Sequence, residues 1–200
     1  IGNYGVKAED IESNAVKVKA VIGRNLEEKY SRFMAEASLQ DYFETEGIVA
    51  IDGIDTRNLV THIRTQGAMN CIISSATTDV EQLKKTLNKV PSMDGLELAS
   101  VVSTKEPYFM GDENSKLRIA VLDCGIKKNI LNCLVERGAY VKVHNAKTGF
   151  EELEQFKPNG YFISNGPGDP APMDYAIKTV KQILDSNKPL FGICLGHQLL

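Results

Sequence analysis

The sequence predicts an α/β protein in two parts, a mixed α/β domain over residues 1–102 and a parallel-sheet domain with helices on both faces over 117–200, joined by a linker over 103–116. Three observations carry this. From residue 117 onward, short apolar runs alternate with amphipathic stretches on short connections, the pattern of parallel strands joined by crossover helices. Before residue 103, strand-like and helix-like stretches follow one another without that regularity. Between them, Ser103 to Lys116 is polar, holds Pro107 and Gly111, and has no apolar period, as chain between two cores does.

In the first domain, Ile1 to Gly5 carries two glycines and an asparagine and reads as loop. Val16, Val18, Ala20 and Ile22 stand against Lys17 and Lys19, which predicts a half-buried strand over 15–22. Ser38 and Asp41 form a capping arrangement for a short helix through Leu39, Tyr42 and Phe43, ended by Gly47. Ile48 to Ile51 reads as a strand. Asp55 caps a helix with Leu59, Val60 and Ile63 on one face, closed by Gly67. Met69 to Ser74 is predicted as a further strand, and Asp79 to Leu87 as a helix packing through Val80, Leu83 and Leu87. An exposed helix face accounts for Asp52, Asp55, Arg57, His62 and Arg64, since surface charge needs no special cause.

In the second domain, Leu117 to Leu122 is a strand and Lys127 to Arg137 a helix that buries Ile130, Leu131, Leu134 and Val135 before Gly138. Tyr140 to His144 is the next strand, Phe150 to Phe156 a short helix, and Tyr161 to Ser164 the third strand. Met173 to Asp185 is an amphipathic helix buried through Ala176, Ile177, Val180, Ile183 and Leu184. Leu190 to Ile193 follows a proline as a compact apolar run, the pattern of a strand covered on both faces. Ligands of such sheets bind beyond the carboxyl ends of the strands.

The last strand runs into Gly192-Ile193-Cys194-Leu195-Gly196, a G-x-C-x-G spacing. That is the spacing of a nucleophile elbow, with cysteine where other hydrolases carry serine; the glycines leave room for a strained turn that lifts the nucleophile above a helix N-terminus. A helix N-terminus favours negative charge, and the thiolate is the reactive form of cysteine. A buried cysteine acting as a small hydrophobe is the plainer reading of the same residue. Asn165-Gly166-Pro167-Gly168-Asp169-Pro170 follows the third strand, so with parallel strands both loops emerge at one sheet edge. The N–H groups of Gly166 and Leu195 would then suit an oxyanion, and losing one such donor costs about 3 kcal/mol of transition-state stabilisation. A simple turn is the alternative for this loop. A phosphate cradle is a third, without the Walker lysine or the G-x-G-x-x-G spacing.

Composition narrows the classes. A hydrophobic content of 42% in 200 residues supports a real core, and a net charge of −3 provides no basic footprint for nucleic acid or an anionic membrane. No apolar run approaches the roughly 20 residues of a membrane span. Cys71, Cys124, Cys133 and Cys194 lack C-x-x-C spacing, which points to reduced thiols in a cytoplasmic protein without zinc or disulfides. The chain opens on Ile1 and stops inside an apolar helix, and it is read as a fragment.

Together, Ser164-Asn165-Gly166-Pro167-Gly168-Asp169-Pro170 and Phe191-Gly192-Ile193-Cys194-Leu195-Gly196-His197-Gln198 resemble the paired motifs of class I glutamine amidotransferases. Ile1-Gly2-Asn3-Tyr4-Gly5, Gly53-Ile54-Asp55-Thr56-Arg57, Gly67-Ala68-Met69 and Asp123-Cys124-Gly125-Ile126-Lys127-Lys128-Asn129-Ile130 resemble, in this order, the small-subunit family of carbamoyl-phosphate synthases. The resemblance implies a truncated, flavodoxin-like amidotransferase domain over 117–200, preceded by part of that family's own N-terminal domain over 1–102. It implies that Cys194 attacks the side-chain amide of L-glutamine, releasing ammonia and then glutamate. Gly166 and Leu195 match the oxyanion donors, and Gly166, Gly168, Leu195 and Gln198 match positions that bind glutamine. It further implies a large-subunit partner that joins the ammonia to bicarbonate, with ATP, Mg2+ and K+ on that subunit and no cofactor here. The product would feed pyrimidine and arginine synthesis.

A cysteine nucleophile needs a histidine base within about 3 Å. Of three histidines, His62 belongs to the other domain, and His144 reads as an edge or loop residue. His197 falls in the first turn of the helix, away from which the elbow projects its nucleophile, and is expected to support the turn. The resemblance implies a base beyond Leu200, a histidine followed two positions later by a glutamate, so these residues alone are expected to show little turnover. Two other readings remain: a non-catalytic docking or regulatory domain, and the leading domain of a fused multifunctional pyrimidine-synthesis chain. A plain flavodoxin-like or nucleotide-binding domain leaves both motifs unexplained.

Overall fold

A computed structural model describes residues 4–11, 15–92 and 95–200. Ile1, Gly2 and Asn3 of the expected opening loop and motif lie outside the described residues. The chain divides into two compact units, Ile1–Pro91 and Ser92–Leu200.

In the first unit, strand β1 (Ala20–Ile22) pairs in parallel with β2 (Val49–Ile51), in register Ala20↔Val49 to Ile22↔Ile51. The pairing begins only at Ala20, so the alternation over 15–19 yields no ladder. Helix α1 (Leu39–Thr45) opens with a reciprocal capping box, in which the Ser38 hydroxyl accepts the Asp41 N–H and the Asp41 carboxylate accepts the Ser38 N–H. Helix α2 (Thr56–Gln66) is capped by Asp55, which accepts the Asn58 N–H at 3.0 Å, and ends on Gly67 at φ 90°. Asp52, Asp55, Arg57, His62 and Arg64 are exposed, as expected of a polar helix face. Met69–Ser74 forms no strand. Neither β1 nor β2 reaches it, and the Asn70 side chain instead donates to the carbonyls of Val90 and Pro91. Helix α3 (Val80–Leu87) follows, with Asp79 accepting the N–H groups of Glu81 and Gln82.

The second unit is built on a five-stranded sheet. After the short helix α4 (Ala99–Val102) comes β3 (Tyr108–Met110), within the segment read from sequence as a linker. That segment lies inside the second unit: β3 pairs antiparallel with β5 (Ala139–Asn145). Its three residues are too short a run for a period-two pattern to show. Strand β4 (Leu117–Asp123) is central, flanked by β5 and β6 (Gly160–Ile163), and β7 (Leu190–Gly192) follows β6. All four are mutually parallel, in the order β5-β4-β6-β7. Helix α5 (Lys128–Glu136) returns the chain from β4 to β5, α6 (Phe150–Gln155) from β5 to β6, and α7 (Asp174–Asp185) from β6 to β7.

The two sheet faces bury different side chains, as alternation along a strand requires. Ala120, Leu122, Tyr161 and Ile163 meet Leu153, Phe156, Ala176, Val180 and Ile183 of the α6 and α7 side. Val121, Val141, Val143 and Phe162 meet Ile130, Leu131, Leu134 and Val135 of α5. Burying each large aliphatic chain contributes roughly 2 kcal/mol, so these clusters hold the unit more than helix propensity does. Lys188 adds a cross-link, its Nζ lying 2.6 and 2.7 Å from the Glu154 carboxylate, which Tyr161 also contacts.

The winding reverses at β4, with β5 on one side and β6 on the other. Such a reversal opens a crevice at the carboxyl ends of the strands. The register rows Leu122↔Ile163 and Ile163↔Gly192 start the loops after β4, β6 and β7 side by side. One expectation changes here. Phe191 is 64% exposed rather than covered on both faces, because β7 is the outer strand among the described residues.

Candidate active site

Cys194 sits between β7 and helix α8 (Leu195–Gln198) with φ 52° and ψ −113°. A non-glycine residue takes such a conformation at a cost of order 1–3 kcal/mol, and only where its surroundings enforce it. Here the enforcing contacts are visible. Ile193 donates its N–H to the Ile163 carbonyl at 3.1 Å, and Gly196 donates to the carbonyls of Ser164 and Ile193 at 3.1 and 2.9 Å. A Cβ on Gly192 would stand 2.5 Å from the Gly196 oxygen, and a Cβ on Gly196 would overlap the Ile163 carbonyl. Both glycines are therefore required by close backbone approach, and the turn between them leaves Cys194 exposed.

The loop after β6 is held as tightly. Ser164 is fully buried; its Oγ accepts the Cys124 N–H at 2.8 Å and donates to the Asn165 carbonyl at 2.7 Å. The Asn165 side chain donates to the Gly125 carbonyl and accepts the Lys127 N–H. Gly166 lies flat on the Cys124 carbonyl, where no Cβ fits. Gly168, at φ 96°, bridges Glu97, and Asp169 clasps the same segment through its N–H to Leu96 and its carboxylate from Gly95. The β4 turn beneath is tied by Asp123, whose carboxylate accepts the N–H groups of Gly125 and Ile126 at 2.8 Å and of Thr104 at 2.7 Å.

The two loops read from sequence as partners thus stand on neighbouring strands and share the Ser164–Gly196 hydrogen bond. Among the described residues, the N–H groups of Gly166 and Leu195 have no protein acceptor. Gln198 is exposed on α8, and its N–H closes the helix onto the Cys194 carbonyl at 3.0 Å. His197 is exposed, and its imidazole makes no hydrogen bond among the described residues. His62 lies on α2 of the first unit. His144 is not an edge or loop residue: it is fully buried on β5, an interior strand once β3 is added, and neither ring nitrogen has a hydrogen-bond partner among the described residues. Burial, with the nearby Lys142 charge, lowers its pKa to about 4 and holds it neutral.

Sequence reasoning missed the roles of Ser164, Asp123 and the Gly95–Leu98 clasp. The signal for Asp123 was available, since an aspartate two and three residues before free N–H groups is a turn-capping pattern. The Ser164 hydroxyl bridges separate loops and leaves no such spacing.

Residues 120–200 match the family Glutamine amidotransferase class-I. Residues 1–73 match the Carbamoyl-phosphate synthase small chain, CPSase domain. The whole chain is 42% identical to the carbamoyl phosphate synthase small chain of Synechococcus sp., covering 54% of it. It is 42% identical to that of Chlorobaculum tepidum, covering 55%, and 39% identical to that of Vibrio cholerae, covering 57%. Both matches and these relatives agree in likening the chain to carbamoyl phosphate synthase small chains. The chain spans about half the length of the curated relatives it matches.

Proposed function

We propose that this chain carries the nucleophile and the oxyanion-stabilising loop of a glutaminase that supplies ammonia to carbamoyl phosphate synthesis. The Cys194 thiolate adds to the side-chain amide carbon of L-glutamine, forming a C–S bond and a tetrahedral oxyanion that the N–H groups of Gly166 and Leu195 receive. As the C–N bond breaks, the nitrogen takes a proton and leaves as ammonia. Water then hydrolyses the thioester, freeing glutamate and the thiol. Gly168 and Gln198 hold the substrate. The base is a histidine outside residues 1–200, and the ammonia passes to a large subunit that uses ATP, Mg2+ and K+ to join it to bicarbonate. This chain itself needs no cofactor.

The observation that carries the reading is a strained, exposed cysteine on a turn tied to the Gly166 loop, with two backbone donors, those of Gly166 and Leu195, that have no protein acceptor among the described residues. The test is glutamine-dependent release of ammonia and glutamate by the full-length protein. Cys194→Ala is expected to abolish it and to leave the large subunit dependent on added ammonia. Undiminished release by Cys194→Ala would end the assignment.

A further inference from the structure

Resting on that reading, we propose that Ser164 is a positioning residue for glutamine hydrolysis, setting the direction of the Gly166 N–H through the peptide that precedes it. The hydroxyl has one proton, and its two contacts fix where that proton goes. Because Oγ accepts the Cys124 N–H at 2.8 Å, its own hydrogen is directed to the Asn165 carbonyl at 2.7 Å. That carbonyl belongs to the same trans peptide as the Gly166 N–H, and in a planar trans unit the two groups point in opposite directions. Drawing the Asn165 oxygen onto Ser164 therefore turns the Gly166 N–H away from the buried hydroxyl, and it meets no protein acceptor among the described residues.

Glycine is the residue whose flanking peptides rotate most freely, so a donor placed on Gly166 needs a restraint of this kind. The contact of Gly166 with the Cys124 carbonyl limits translation of the loop and does not by itself set the rotation of the Asn165–Gly166 peptide. Ser164 also reaches the elbow, its own carbonyl accepting the Gly196 N–H at 3.1 Å. One buried residue thereby refers the donor and the end of β4, through its side chain, and the nucleophile turn, through its main chain, to a common position.

The test separates donor orientation from nucleophile integrity, using the full-length protein. Ser164→Ala is expected to lower kcat for glutamine hydrolysis at least tenfold, towards the roughly 10²–10³ lost with an entire oxyanion donor, with little change in KM. Alkylation of Cys194 by iodoacetamide, a displacement at saturated carbon that develops no oxyanion, is expected to keep its rate. Ser164→Thr, which retains the hydroxyl, is expected to restore most of kcat. Unchanged kcat in Ser164→Ala overturns the proposal, as does a parallel loss of turnover and alkylation, which reports collapse of the elbow. If Ser164→Ala does not melt cooperatively, Ser164→Thr decides: a folded variant with near-normal kcat supports the proposal, and a folded inactive one overturns it. Absence of glutamine-dependent ammonia from the unaltered protein defeats the glutaminase reading itself, whereas an active parent with an indifferent Ser164→Ala defeats this proposal alone.

Discussion

Gly196 donates its N–H to the carbonyl of Ser164 at 3.1 Å, joining the first turn of α8 to the loop that follows β6. This contact requires the two backbones to approach within hydrogen-bond distance, and only a residue without Cβ permits it. The nucleophile turn and the loop that carries the Gly166 N–H are one structure, fixed by glycine packing.

Gly196→Ala is therefore expected to cost about 1–3 kcal/mol, the usual range for overpacking a filled site, and to displace Cys194. Gly149 gives the control. It is the N-cap of α6, with ordinary backbone angles and no described atom within 4 Å of where a Cβ would stand, so Gly149→Ala is expected to lose only what alanine loses as the poorer cap, about 0.5–1 kcal/mol. Urea midpoints of the two variants compare them directly. Equal costs would mean that the elbow is not packed as described.

The four thiols separate by environment. Cys194 and Cys71 are exposed, Cys133 is half-buried, and Cys124 is fully buried with its pKa pushed up to about 12, first by burial and then by the Asp123 and Glu97 charges. Since the thiolate reacts, brief treatment of the native protein with a maleimide is expected to label Cys194 and Cys71 and to spare Cys124 until denaturant is added. Peptide mass mapping reads this out, and native labelling of Cys124 would contradict the packing of the β4 turn.

Asp123 holds that turn with three accepted N–H groups. Asp123→Ala leaves those donors without a carboxylate in a position only 5% exposed, and is expected to cost about 3 kcal/mol, by the range for hydrogen bonds to charged groups. A denaturation midpoint no lower than that of the parent would show that water replaces the carboxylate without penalty.

The sequence made the parallel sheet, the elbow and its partner loop legible because each leaves a local signature: β-α alternation, G-x-C-x-G, and a run of glycine and proline after a strand. It did not show β3 or the cover of β7. Tyr108–Met110 is recognisable as a strand only through its pairing with β5, and the exposure of Phe191 depends on what stands beside the sheet. Met69–Ser74 erred in the other direction, having strand-like composition without a partner strand. His144 was misplaced for the first reason, since adding β3 beyond β5 moves it from an edge to the interior.

That interior position makes His144 a determinant of acid stability. It is fully buried, neither nitrogen has a hydrogen-bond partner among the described residues, and its pKa stands at about 4 against an ordinary 6.5, chiefly from burial and secondarily from Lys142. Between these values the unfolded chain binds a proton that the folded chain refuses, so stability rises with pH there. The contribution is complete above about pH 7 and is lost as pH falls through 6.5 towards 4, amounting to about 2 kcal/mol between pH 7 and pH 5. His144→Leu removes the titrating group while keeping an apolar side chain of similar size, and it also removes a buried donor without an acceptor, which costs about 1–3 kcal/mol. This variant is expected to be at least as stable as the parent at pH 7 and to lose about 2 kcal/mol less on going to pH 5. Urea unfolding of both proteins at the two pH values measures the difference, and parallel losses would show that His144 is not the group that titrates.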